Sequence, residues 1–265
     1  MGDLIFPIVE RVVYERAPLV EVICQVRFPT DLRVETDPPV SFQQRIRAQF
    51  PLLKQTRRAF VSALPPELAR ALESIVPATG AATIWEFGTE DGKHSLELLK
   101  DNLTLISRNY RRWEDFSGLF RELLSALSDI YAPRFFTRVG LRYRDIVQRS
   151  KLGLSHARWS TLLRRHVLGE LGEPDIERRA LEALRNLLLS LPERDAKVRL
   201  QHGFAEIEGS SEQSYLIDCD FFVDRTEVKH ADDTLEYLHR NAASYFRWCI
   251  TDTLHQAMEP RPVSS

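Results

Sequence analysis

The segment Arg134 to Val147, RFFTRVGLRYRDIV, carries the densest pattern of chemically able side chains in the sequence. In an extended strand, side chains two apart point the same way. Arg134, Arg138, Arg142 and Arg144 therefore share one face, with Phe136 and Gly140 between them, while Phe135, Val139, Leu141 and Tyr143 take the other. A guanidinium is planar, permanently charged and able to grip a carboxylate or phosphate with two parallel N–H groups. Lys197, Arg199 and Gln201 repeat the arrangement opposite Val198 and Leu200, and Asp218 and Asp220 alternate with Ile217, Cys219 and Phe221. Glu21 and Arg27 fall on the polar side of a further alternating run, Leu19 to Phe28. Two readings fit this pattern. One is a solvated sheet face held by cross-strand ion pairs. The other is a largely basic surface for an anionic ligand, a nucleic acid or an acidic protein.

Other chemistry has less to stand on. A hydrolase or nuclease would draw its general base from Glu21, Asp145 or Asp218, but a base needs a raised pKa and a partner, and the sequence shows neither. Cross-strand ion pairing is the reading favoured for Glu21 and Asp145. The seven histidines include no pair at i+3 or i+4, and Cys24, Cys219 and Cys249 lie far apart in apolar runs, so no metal site is expected. Three buried free thiols suit a reducing cytoplasm. The phosphate cradles G-x-x-x-x-G-K-[ST] and G-x-G-x-x-G are missing, as are G-x-S-x-G and H-E-x-x-H, and glycines number only 11. No cofactor is expected.

Alternation and helical spacing give the elements that position these groups. Strands are expected over Leu19–Phe28, Ala81–Gly88, Ser95–Leu99, Leu103–Ser107 and Arg134–Val147, with a long hairpin over Ala196–Glu208 and Gln213–Val223. Ser41 is a candidate N-cap for a helix that buries Phe42, Ile46 and Phe50 and stops at Pro51. Pro65 to Ile75 reads as a short helix or a loop. Trp113 to Tyr131 is strongly amphipathic, with Phe116, Leu119, Phe120, Leu123, Leu127 and Ile130 on one stripe. Helical patches are expected at Leu162–Leu168 and Ile176–Leu191, and a last helix at Asp232–Met258. The tail EPRPVSS is expected to fray.

A strand, a helical connection, a hairpin and a long amphipathic helix thus occur twice in the same order. This predicts an α+β fold of two related halves, residues 1–133 and 134–265, packed together around antiparallel sheet with the long helices on one face. The 265-residue chain can bury about 75% of its unfolded surface and needs no disulfide to fold. Its 36 basic and 38 acidic side chains leave a net charge of -2, which provides no global field for nucleic acid or anionic membrane. The N-terminus lacks the pattern of a signal peptide, and no apolar run is long enough to span a bilayer.

Tyr14 to Phe28, YERAPLVEVICQVRF, together with LTLISRNYRRWEDF (Leu103 to Phe116), FFTRVGLRYRDIV (Phe135 to Val147) and the C-terminal LEYLHRNAASYFRWCITDTLHQAM, resembles a sporadically distributed prokaryotic family of similar length and unknown function. That family often has asparagine where this chain has Asp145. The resemblance implies a bacterial or archaeal source and a place among accessory genes, including toxin–antitoxin and phage-defence loci, but no established activity. The expectation is a non-enzymatic interaction protein that takes a protein partner, or else nucleic acid, on the charged face. The alternative is a small-ligand binder with a pocket between sheet and helix, lined by Trp85, Trp113, Phe136 and Trp248.

Overall fold

The computed structural model describes residues 5–59 and 81–262. The Pro65–Ile75 expectation lies outside them. Among the described residues, eleven strands form two sheets: β1 (Val12–Tyr14), β2 (Leu19–Arg27), β3 (Leu52–Ala59), β4 (Ala81–Gly88), β5 (His94–Leu99), β6 (Asn102–Ser107), β7 (Phe136–Val147), β8 (Leu184–Ser190), β9 (Lys197–Ala205), β10 (Ser214–Thr226) and β11 (Pro260–Pro262). Nine of them make one antiparallel sheet in the order β3-β4-β5-β6-β2-β7-β10-β9-β8, and β1 pairs with β11. Within the large sheet β2 pairs with β6, and β7 with β10. β2 and β7 then pair with each other at the centre of the sheet. The fold is α+β, as expected.

The period of two fixes a core face by simple register. Leu53, Phe87, Leu96, Leu105, Cys24, Leu141, Phe221, Val198 and Leu189 stand side by side across all nine strands. From Phe87 to Val198 every member of that row is buried. Burying each large apolar side chain contributes about 1.5–3 kcal/mol.

The described residues hold eight α-helical segments: α1 (Arg33–Thr36), α2 (Val40–Ile46), α3 (Trp113–Tyr131), α4 (Trp159–Leu162), α5 (Arg165–Leu168), α6 (Pro174–Glu177), α7 (Ala231–Cys249) and α8 (Asp252–Ala257). α3 buries Trp113, Phe116, Phe120, Leu123 and Leu127, and Ala132 closes it in the left-handed conformation just before Pro133. α7 lays Leu235, Leu238, Ala242, Tyr245 and Cys249 over β7 and β10. No helix among the described residues is long and apolar enough to cross a membrane.

Several expectations are corrected. Leu184 to Ser190 is not helical but forms the edge strand β8, and only Pro174–Glu177 of the preceding stretch is α-helix. Leu184, Leu187, Leu188 and Leu191 have helical spacing, yet long-range pairing wins. Arg194 and Asp195, both at positive φ, turn the chain so that Leu191 N–H donates to Ala196 O and β8 zips onto β9. Gly203 permits the close entry to that pairing, because a Cβ there would sit 1.9 Å from Ala183 O. The last helix breaks at Ile250, which is extended and bridges to Leu163, and Thr251 caps the new start at Leu254 N–H. Leu162–Leu168 is two short helices, α4 and α5, rather than one patch, since Leu163 between them is extended. The tail is not free over Pro260–Pro262, which pairs with β1.

Candidate functional site

The opposite face of the nine-stranded sheet bears most of the charged residues singled out in the sequence. Arg144 stands directly across from Glu21 on β2 and Asp218 on β10. It donates through Nη1 to Glu21, and its Nε lies 3.2 Å from Asp218 Oδ2, near enough for attraction although the N–H is not aimed at that oxygen. Arg142 faces Asp220 in register but reaches diagonally to Asp218, donating from Nε at 2.7 Å and Nη2 at 2.6 Å. Arg138 faces Asp224 but reaches diagonally to Asp220, donating from Nη2 at 2.7 and 2.8 Å to its two oxygens. Lys197 then takes Asp224 at 2.7 Å. The result is a row of ion-paired groups running from β2 across β7 and β10 to β9.

Two features of the chain make the diagonal reach work. Gly140 has no side chain, so the Arg138 guanidinium lies flat over it. Phe222, opposite Gly140, presents its ring 4.7 Å from that guanidinium and 5.9 Å from Lys197 Nζ. Gln25 joins the row from β2, receiving Arg27 Nε at 3.0 Å and donating to Thr104 at 2.9 Å. Asp218 is the anchor: its side chain is only 4% exposed, and two arginines offset the desolvation of its carboxylate. Hydrogen bonding and the charge of Asp218 hold the Arg142 pKa above its ordinary value despite partial burial.

The face is therefore held by cross-strand ion pairs, the first of the two arrangements that the sequence left open. Arg138, Arg142, Arg144 and Lys197 are committed to carboxylates. Arg27 and Arg199 are exposed and have no carboxylate at ion-pair distance among the described residues. Arg27 even stands opposite Arg138, cation beside cation. Three residues depart from expectation. Arg134 precedes β7, lies outside the row and lines a hollow beside Asp31, Arg33 and Tyr131. Phe136 is fully buried rather than part of the exposed face. Asp145 makes no cross-strand ion pair. It lies on the core side with Val139 and Leu141, where burial, and then the charge of Asp218, push its pKa up to about 8. The three carboxylates proposed as a general base are thus split between opposite faces, with Glu21 and Asp218 both held by arginines.

The aromatic residues offered as a pocket lining do not converge. Trp85 is buried and donates to Val34 O at 2.9 Å. Trp113 stacks on His239 with ring centroids 4.2 Å apart and donates to Glu236, while Tyr143 hydroxyl meets His239 Nδ1 at 2.8 Å. Burial drives the His239 pKa down to about 3. Trp248 is separate and partly exposed, on the wall of a cleft with Arg164, His166, Arg247 and His255. Sequence reading missed these four because they come from two distant stretches, 164–166 and 247–255, that only the α4–α5 turn and the α7–α8 break bring together. The one signal was Trp248 itself, an aromatic at the edge of the α7 stripe. Comparison of the chain with protein-family models, with curated proteins and with solved structures finds no match.

Proposed function

We propose that this chain is a non-enzymatic binding module of the cytoplasm that docks an acidic protein surface on the uncovered face of its sheet. One observation carries the reading. The carboxylates of the central ladder, Glu21, Asp218, Asp220 and Asp224, are already neutralised within the face, whereas Arg27 and Arg199 at its flanks are exposed and uncommitted. The surplus charge offered to a partner is positive, on a rigid platform whose geometry the ladder holds before binding. A protein partner is favoured over nucleic acid because two uncommitted arginines on a face this balanced are few beside the row of phosphate contacts that drives nucleic-acid affinity. The family resemblance adds a setting: an accessory component of an antitoxin-like or phage-defence system.

Fluorescence anisotropy with a labelled polyglutamate peptide and with a single-stranded DNA oligonucleotide, each over a salt series, tests this. The peptide is expected to bind the wild type, and the double variant Arg27→Glu, Arg199→Glu to bind at least about tenfold more weakly with an unchanged melting temperature. Equal peptide binding by the double variant, or tighter and steeply salt-dependent binding of the DNA, would overturn the proposal.

A further inference from the structure

A cleft of about 560 Å³ opens on the helix-bearing side of the molecule, between the N-terminal segment and the junction of α7 with α8. Its chemistry follows from the break in the last helix. With Ile250 extended, its carbonyl leaves the helical ladder and accepts both Arg164 Nε at 3.1 Å and Arg247 Nη1 at 3.4 Å. Two guanidiniums are thereby fixed against one oxygen, which carries only a partial charge. Arg247 also pairs with Asp252, a carboxylate 75% exposed and so strongly screened. Arg164 has no carboxylate at ion-pair distance among the described residues, and its two terminal nitrogens are left to the cleft.

Two imidazoles complete the wall. His255 is held by Tyr14, whose hydroxyl meets Nδ1 at 2.8 Å, so Nε2 stays free. His166 is stacked on Trp248, with centroids 3.6 Å apart and planes 19° from parallel. Arg164, His166 and His255 are each held by one contact that leaves another group available, as a preorganised anion site requires, while Arg247 is shared with the exposed Asp252. Glu10 is the acidic side chain on the facing wall; it is exposed and not ion-paired with either arginine.

We infer that this cleft binds the phosphate group of a small phosphorylated molecule, with Arg164 and Arg247 gripping the oxygens and the His166–Trp248 stack flanking the organic remainder. Donors arriving from separate segments suit a tetrahedral oxyanion better than a flat carboxylate, which one arginine satisfies alone. Glu10 opposes the ligand's charge across the cleft and weakens its binding.

The test is a titration of the full chain with phenyl phosphate, inorganic phosphate and acetate, followed by phosphorus NMR and thermal shift. Phenyl phosphate is expected to bind and to raise the melting temperature. Arg164→Gln should weaken it at least about tenfold, as loss of a bidentate arginine–phosphate contact does. Glu10→Gln should tighten it several-fold, which simple loss of structure could not mimic. The Arg27→Glu, Arg199→Glu variant should bind phenyl phosphate like wild type, keeping this site distinct from the sheet face. Absence of phosphate binding, indifference to both Arg164→Gln and Glu10→Gln, or acetate competing as well as phosphate would each overturn the assignment.

Discussion

The guanidinium of Arg138 lies against the backbone of Gly140, so that a methyl group added at Gly140 would sit 2.1 Å from Nη1. This contact decides which carboxylate Arg138 meets. It folds over the glycine to Asp220, and Asp224, its partner in register, is left to Lys197. Gly140→Ala should expel the guanidinium and cost about 1 kcal/mol, the worth of a half-buried charge-assisted pair less the gain in strand propensity. In an Arg138→Ala background the same change should be neutral or stabilising. A double-mutant cycle by chemical denaturation reads the difference, and additive costs would show that the two residues do not interact.

Asp218 and Asp224 belong to one ladder but sit at opposite ends of the burial scale. The Asp218 side chain is 4% exposed and serves two arginines; that of Asp224 is 54% exposed and serves one lysine. Asp218→Asn should cost about 2 kcal/mol, below the usual cost of a broken buried pair because the arginine ends reach water. Asp224→Asn should change stability by less than about 0.5 kcal/mol. Equal costs in urea denaturation would mean that burial does not set the strength of this ladder.

Three buried groups predict how stability depends on pH. Asp145 keeps its proton in the folded state up to about pH 8, whereas its ordinary value is 3.8, so its contribution is present at low pH and is lost as pH rises through 8. Burial lowers His202 to about 4 and His239 to about 3, from an ordinary 6.5, so their contributions are present above 6.5 and are lost as pH falls. Between pH 4 and 6.5 the unfolded chain binds two extra protons at the histidines and the folded chain one at Asp145, and stability should rise with pH. From 6.5 to 8 only Asp145 acts, and stability should fall. Melting temperatures measured across this range are expected to peak near pH 6.5. Asp145→Asn should abolish the alkaline decline and raise stability at pH 8 while changing little at pH 4.

How much of this was readable in the residues depended on how local its cause was. The helix Trp113–Tyr131 was legible to its ends, because both its apolar stripe and the stop at Pro133 are local. The alternation of β2 and β7 showed which side Arg27, Arg138, Arg142 and Arg144 take, since side-chain direction within a strand follows parity. It could not show that Arg142 and Arg138 choose diagonal partners, which depends on the width of Gly140 and the ring of Phe222. Asp145 shares its parity with the buried Val139 and Leu141, so its place on the core side was implicit in the pattern that read it as an ion-pair partner. The α7–α8 break lay beyond the sequence because its cause, the pairing of Ile250 with Leu163, joins residues far apart in the chain.

The edge strand β8 yields a prediction that separates its two readings. The spacing of Leu184, Leu187 and Leu188 is helical, and a helix would protect consecutive amides through bonds to residue i−4. As an edge strand paired only with β9, the segment should protect alternate amides, those that face β9, and leave the intervening ones to exchange freely with solvent. Those three leucines are 60%, 44% and 50% exposed, so even the protected amides should open more easily than those of β7, which is flanked by β2 and β10 and carries a buried apolar face. Residue-resolved hydrogen exchange should therefore give an alternating pattern over 184–190 and uniformly slow exchange through the middle of β7. An unbroken run of slow amides from Leu184 to Ser190 would restore the helix and remove the ninth strand from the sheet.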